Sequence, residues 1–114
     1  MNIYGISQTT GVERQLKIER GIDGVVLTVT DSYGSHERGW ISVPADNLLA
    51  AIIDPPPGGS TIEGFRQSRG DKMSLDVEVR RNEVQLALHP ADGADIAVGL
   101  DDLQDALEGV INRA

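Results

Sequence analysis

The side chains that could perform acid–base or metal chemistry are few and far apart in this sequence. The two histidines, His36 and His89, stand in loop-like contexts, and neither has a histidine, cysteine or acid at a metal-ligand spacing. There is no cysteine nucleophile and no Gly-x-Ser-x-Gly motif. The segment 92–95 combines two aspartates with a glycine but lacks the other ligands of a calcium loop. We therefore predict no catalytic residue, no metal site and no cofactor, and we expect that the chain is not an enzyme.

The basic residues are less scattered than the net charge of −8 suggests. Arg66, Arg69 and Lys72 fall within seven positions, and Arg80 and Arg81 are adjacent at a predicted hairpin. Such a stripe of positive charge is suited to following a phosphate backbone. These five residues are the candidate contacts of one hypothesis, in which the chain binds single-stranded nucleic acid. The net negative charge disfavours unspecific binding of nucleic acid.

A polar loop over residues 31–39, followed by the single tryptophan, Trp40, is the candidate surface of the other hypothesis. Tyr33 and His36 in this loop, if exposed, are typical of a site that binds a partner protein. The loop and Trp40 therefore predict a protein-docking surface.

The elements that must position these residues follow from hydrophobic patterns. Alternation and runs rich in Val, Ile and Thr predict strands, while apolar residues at helical spacing predict two helices. Pro44 suits the start of the first helix and Asp54-Pro55 its end. The predicted strands are 2–8, 14–20, 25–30, 40–43, 61–67, 72–80, 83–89 and 95–98, and the predicted helices are 44–54 and 100–112.

The second half of the chain repeats the first. Residues 3–8 return as 62–67 at an offset of 59, and later matches such as Ile41 with Ile96 have an offset of 55. We interpret the chain as a single domain, 1–114, made of two ββββα units, 1–54 and 61–114, joined by a Pro/Gly linker at 55–60. The expected fold class is α+β, with two packed antiparallel four-stranded sheets and two helices. Gly5 and Gly64 recur inside the first strand of each unit, which indicates a bend or a close backbone approach.

The two predicted helices differ in polarity. Leu49 and Ile53 of the first helix correspond to Gln104 and Glu108 of the second. The first helix is therefore apolar around more of its circumference, and we expect it to be buried under the linker or in a subunit contact. Leu49 and Ile53 join the candidate partner-binding residues, and we expect a homo-oligomer.

Composition limits the location of the protein. The chain has no cysteine for disulfides, and no apolar run approaches the ~20 residues of a membrane span. Residues 1–4 do not begin a basic stretch followed by an apolar segment, as a secretory signal would. We expect an acidic protein of the cytoplasm without a membrane span.

The order of elements resembles the Whirly fold, a family of single-stranded nucleic-acid binders. It is more similar to the SsgA-like sporulation and cell-division proteins of actinobacteria, in which a Trp-bearing strand runs into a helix with a Leu pair and a Pro/Gly-rich joint. Trp40, Leu48-Leu49 and residues 55–59 match these features, and residues 72–89 and 100–112 match the strand pair and amphipathic helix that follow. This resemblance implies a Whirly-like fold, homo-oligomers, and a non-enzymatic protein that recruits other proteins. Recruitment is thus the expected function, and binding of single-stranded nucleic acid is the alternative.

Overall fold

The computed structural model describes residues 2–21, 24–31, 36–66, 71–89 and 94–112. Its elements follow the predicted positions closely, because apolar alternation defines each strand and Pro44 and Asp54 flank the first helix. In chain order the elements are β1 (Asn2–Ile6), β2 (Glu13–Arg20), β3 (Val25–Asp31), β4 (Glu37–Val43), α1 (Ala45–Ile53), β5 (Ser60–Arg66), β6 (Asp71–Arg80), β7 (Glu83–His89), β8 (Asp95–Gly99) and α2 (Leu100–Ile111).

The eight strands form one closed antiparallel barrel in the order β1 to β8. The prediction of a duplicated ββββα unit with two packed four-stranded sheets, and with it the Whirly-like arrangement, is wrong. β4 pairs with β5 as well as β3, and β1 pairs with β8 as well as β2, so hydrogen bonding runs around the whole circumference. Alternation along each strand identifies its inward face, but that pattern is the same in a sandwich and in a barrel.

The barrel closes at two narrow seams. Within the described residues, Ser42↔Phe65 is the one residue pair that joins β4 to β5, and Ile6↔Ala97 is the one that joins β1 to β8. A Cβ atom on Gly5 would collide with the carbonyl oxygen of Ala97, and a Cβ atom on Gly64 would collide with that of Ser42. The two glycines therefore allow the close backbone approach that each seam requires, as their positions in the sequence indicated.

Both helices begin at the same end of the barrel. All neighbouring strands are antiparallel, and α1 and α2 each follow an even-numbered strand, so they start where the β2–β3 and β6–β7 connections lie. The helices contact each other, and their apolar faces join the barrel interior in one core. Fully buried core side chains include Leu16, Ile18, Leu27, Ile41, Leu48, Leu75, Leu86, Ile96, Leu103 and Leu107.

No helix in the described part of the chain is long and apolar enough to span a membrane. α1 has 9 residues and α2 has 12, both well below the ~20 that a bilayer requires.

Candidate functional site: the outer surface of the β4–β5 seam

Two aromatic side chains point outward where β4 meets β5. The side chains of Ile41 and Val43 are buried in the core, so alternation places Trp40 and Ser42 on the outer face of β4. Ser42 pairs with Phe65 of β5, whose side chain is 52% exposed. Because Phe65 is opposite Ser42, it lies diagonally across the seam from Trp40, at roughly 7–8 Å between Cα atoms.

Trp40 lies in an open groove on the outer face of β2, β3 and β4. The indole is half-buried, and Thr28 of β3 lies opposite Trp40 in the strand register. The groove has a volume of about 630 Å³. Its lining residues, which include two acids and one arginine, are Glu19, Arg20, Gly21, Val26, Thr28, Glu37 and Trp40.

Phe65 lies in a second, more apolar groove of about 370 Å³ on β5, β6 and β7. Lys72 is directly opposite Phe65, and Met73 follows it in β6. At the far side of the groove, His89 Nε2 is 2.8 Å from Asp76 Oδ2. Both of these side chains are about half exposed, so the pair contributes little to stability.

We call the two grooves, with Trp40 and Phe65 between them, the seam surface. Aromatic side chains bury a large apolar area at low entropic cost and are enriched in the energetic centres of protein interfaces. The seam surface presents two of them on a rigid barrel, with charged side chains of both signs around them. Such an arrangement can bind a protein segment that carries apolar side chains.

Of the predicted partner-binding residues that the structure describes, only Trp40 lies in the seam surface. Tyr33 lies outside the described residues. His36 is exposed just before β4, where its carbonyl oxygen accepts a 3.0 Å hydrogen bond from the Asp31 N–H. In α1, Leu49 is half-buried against the core and Ile53 is 60% exposed, and neither residue lines either groove.

The predicted nucleic-acid contacts are divided between the strands of the second half. Arg66 is the last residue of β5, and Arg69 lies outside the described residues. Lys72 is exposed in the groove beside Phe65. Arg81 lies in the β6–β7 turn, where it has a positive φ of 57°.

The outer face of β6 carries charges of both signs. Lys72 and Arg80 lie on this face with Asp76 and Glu78 between them. Arg80 donates from Nε to Glu78 Oε1 at 2.9 Å, so its charge is compensated within the strand. The described residues of β6 therefore do not form the continuous positive stripe that a phosphate backbone requires.

Asp95 is the centre of a polar cluster that the sequence patterns did not reveal. Its Oδ1 accepts hydrogen bonds from Ser7 Oγ at 3.0 Å and Arg14 Nη1 at 3.1 Å. Its Oδ2 accepts from the backbone N–H groups of Gln8 at 2.8 Å and Thr9 at 3.2 Å. Arg14 Nη1 also donates to the backbone oxygen of Asp95 at 2.8 Å. The cluster fastens the β1–β2 turn to the start of β8.

Burial and hydrogen bonding have opposite effects on the pKa of Asp95. Burial raises this pKa, but the hydrogen bonds from Ser7, Gln8 and Thr9 and the charge of Arg14 outweigh burial, so the pKa is lowered. The carboxylate thus stays ionised with both oxygens occupied by protein donors. These hydrogen bonds link β8 to β1, to the β1–β2 turn and to β2.

Phe65 is the seam-surface residue that sequence reasoning missed. With few aromatic residues in the chain, Phe65 is readily mistaken for a core residue. The alternation of β5 carried the correct signal, since Ile62 is buried whereas Glu63 and Phe65 point outward.

The described residues contain no group of three or more His, Asp or Glu side chains that could hold a metal ion.

Comparison of the chain with models of protein families, with curated proteins and with solved structures finds no match. The relationship to SsgA-like proteins stays a prediction from the sequence.

Proposed function

We propose that this chain is a non-enzymatic interaction protein of the cytoplasm that recruits a partner protein through the seam surface. The observation that supports the proposal is the pair of outward aromatic residues, Trp40 and Phe65, each in a groove on facing strands. An exposed phenylalanine on a rigid strand has no role in the core, and burial of its ring on a partner is favourable. The absence of cysteine from the sequence accords with a reducing compartment.

The charges around the seam surface favour a protein partner over nucleic acid. The groove at Trp40 contains Glu19 and Glu37 beside Arg20, and the groove at Phe65 contains Glu63 beside Lys72. Glutamates next to the aromatic rings would repel the phosphates of a single-stranded nucleic acid whose bases stack on those rings. A protein segment, in contrast, can supply both basic and apolar side chains.

The polar cluster at Asp95 supports a binding role over a catalytic one. The pKa of Asp95 departs from its ordinary value, and the carboxylate is saturated by Ser7, Gln8, Thr9 and Arg14. A catalytic acid or base needs a pKa near the working pH and an oxygen free to meet substrate, whereas this pKa is lowered and both carboxylate oxygens already accept hydrogen bonds from the protein.

Affinity capture from a native lysate, with and without nuclease, tests the proposal. Wild-type protein is compared with Phe65→Glu and Trp40→Ala, and the matched control is Ile53→Glu, which alters an exposed apolar residue of α1 outside both grooves. We expect nuclease-resistant partners that are lost with the two seam variants and retained by the control. Retention of the same partners by Phe65→Glu would refute the seam surface as the docking site. Circular dichroism confirms that each variant is folded.

The nucleic-acid alternative has its own test. Labelled single-stranded oligonucleotide is titrated with the protein at low salt and again at rising salt, because phosphate contacts weaken steeply with salt. We expect no binding at either condition. Binding that disappears with salt and with Lys72→Glu would favour the alternative over the proposal.

A further inference from the structure

A third groove lies at the other seam, on the outer face of β1 and β8. Tyr4 and Ile6 project from β1 beside it and are 70% and 49% exposed. Gly5, Ala97 and Gly99 also line this groove. The volume is about 530 Å³, more than enough for an aromatic ring. We call this the acceptor groove.

Two acids flank the acceptor groove. Glu13 is opposite Ile6 in the register of β1 and β2, and Glu83 is opposite Gly99 in the register of β7 and β8. Both side chains are exposed, and neither forms an ion pair within the described part of the chain. The acceptor groove is therefore an apolar depression with uncompensated negative charge at its edges.

The β4–β5 seam presents an exposed aromatic side chain next to a positive charge. Phe65 projects from β5, and Lys72 is its direct cross-strand neighbour. Lys72 is exposed and forms no ion pair with any residue that the structure describes. Phe65 and Lys72 together form an aromatic projection with an adjacent positive charge, which we call the donor pair.

We propose that the acceptor groove of one copy of this chain binds the donor pair of a second copy. Phe65 packs between Tyr4 and Ile6, and Lys72 lies near Glu13 and Glu83. This inference rests on the proposed function, because it assigns a partner to the Phe65 half of the seam surface. The groove at Trp40 is not part of the contact, and a partner protein that binds the whole seam surface competes with the second copy for Phe65.

Charge determines the geometry of this self-association. Two acceptor grooves placed face to face would bring four glutamates together, which like-charge repulsion opposes. Pairing of a donor with an acceptor uses two different surfaces of each molecule, so the contact is heterologous and generates a ring or an open chain. Mixed apolar and charged contacts of this kind weaken as salt rises.

Sedimentation equilibrium of the purified chain tests the inference. We expect the mass to rise above 12.2 kDa with concentration at low salt, and to rise less at high salt. Lys72→Glu should weaken association about tenfold or more, and so should the double variant Glu13→Lys, Glu83→Lys. An equimolar mixture of these two proteins should associate as strongly as the wild type, since each variant then meets a complementary surface on the other.

Several outcomes would overturn the inference. A wild-type mass of one chain at all concentrations would refute it, as would two variants that stay separate when mixed. Association that is abolished by Ile53→Glu and unaffected by Lys72→Glu would place the contact on α1 instead. The proposed function is tested separately, since the double variant Glu13→Lys, Glu83→Lys, which lies outside the seam surface, should still capture a partner when self-association is lost, and Trp40→Ala should still self-associate.

Discussion

Replacement of Asp95 by asparagine should be among the most destabilising conservative changes in this barrel. The carboxylate accepts four hydrogen bonds, from Ser7, Gln8, Thr9 and Arg14. An amide has one oxygen, so its NH₂ group must face one of the two donor pairs. On one side it meets the N–H groups of Gln8 and Thr9, and on the other it meets Arg14 and the Ser7 hydroxyl, of which only the hydroxyl can turn to accept. The positive charge of Arg14, whose side chain is 8% exposed, also loses the negative charge of this carboxylate.

The expected cost follows from burial. Breaking a buried ion pair by removing one partner costs about 3–5 kcal/mol, and the retained oxygen keeps part of the network, so we expect about 3 kcal/mol. With an unfolding entropy of about 2.1 cal/mol/K per residue over 114 residues, this corresponds to a fall in Tm of about 12 °C. Urea unfolding monitored by circular dichroism gives the free energy of unfolding, and a thermal scan gives the Tm.

The matched control is Glu78→Gln, which also changes an acid of an arginine ion pair to its amide. The Glu78–Arg80 pair has a shorter N···O distance than Arg14–Asp95, 2.9 Å against 3.1 Å, but both partners are in contact with solvent. We expect a cost below about 1 kcal/mol, because exposed pairs are screened by water. If Asp95→Asn and Glu78→Gln cost the same within about 0.5 kcal/mol, the reasoning from burial is refuted.

Two more predictions concern the fold. Because the pKa of Asp95 is lowered in the folded state, the contribution of this carboxylate to stability is fully present above about pH 4 and is lost as the pH falls through the folded-state pKa. The wild type should therefore lose more stability than Asp95→Asn between about pH 5 and about pH 2. Parallel curves of unfolding free energy against pH, measured by urea unfolding, would contradict this. Gly5→Ala and Gly64→Ala should each cost about 2 kcal/mol or more, because a Cβ collides with the backbone across a seam, whereas the exposed Asn2→Ala in β1 should change stability by less than about 0.5 kcal/mol. Thermal scans in which the glycine variants match Asn2→Ala would show that the seams tolerate a wider separation.

The local structure was predictable from the sequence, whereas the closure of the barrel was not. Alternation such as that of Leu16 and Ile18 marks an inward face, and Pro44 marks a helix start, because both signals depend on residues close in the chain. Closure depends on single long-range pairs, Ser42↔Phe65 and Ile6↔Ala97, and no local pattern specifies them. The same alternation is equally compatible with two packed sheets.

The candidate site was predictable only in part for the same reason. Trp40 is conspicuous in the sequence as the single tryptophan, whereas Phe65 becomes a candidate only because it lies across the seam from Trp40. Leu49 and Ile53 were grouped with Trp40 by polarity, although α1 carries them away from both grooves. The Asp95 network joins residues more than 80 positions apart, and charges at such a separation give no signal in a single sequence.

The most direct test of the seam surface uses the single tryptophan as a probe. The chain is produced with 5-fluorotryptophan, so that Trp40 gives one ¹⁹F resonance, and a partner obtained by nuclease-treated capture is added. We predict that this resonance shifts or broadens in proportion to bound partner in the wild type, and that the partner does not bind Phe65→Glu. A partner that binds, as measured by light scattering, while the Trp40 resonance stays unchanged would contradict the proposal that this surface is where the protein recruits others.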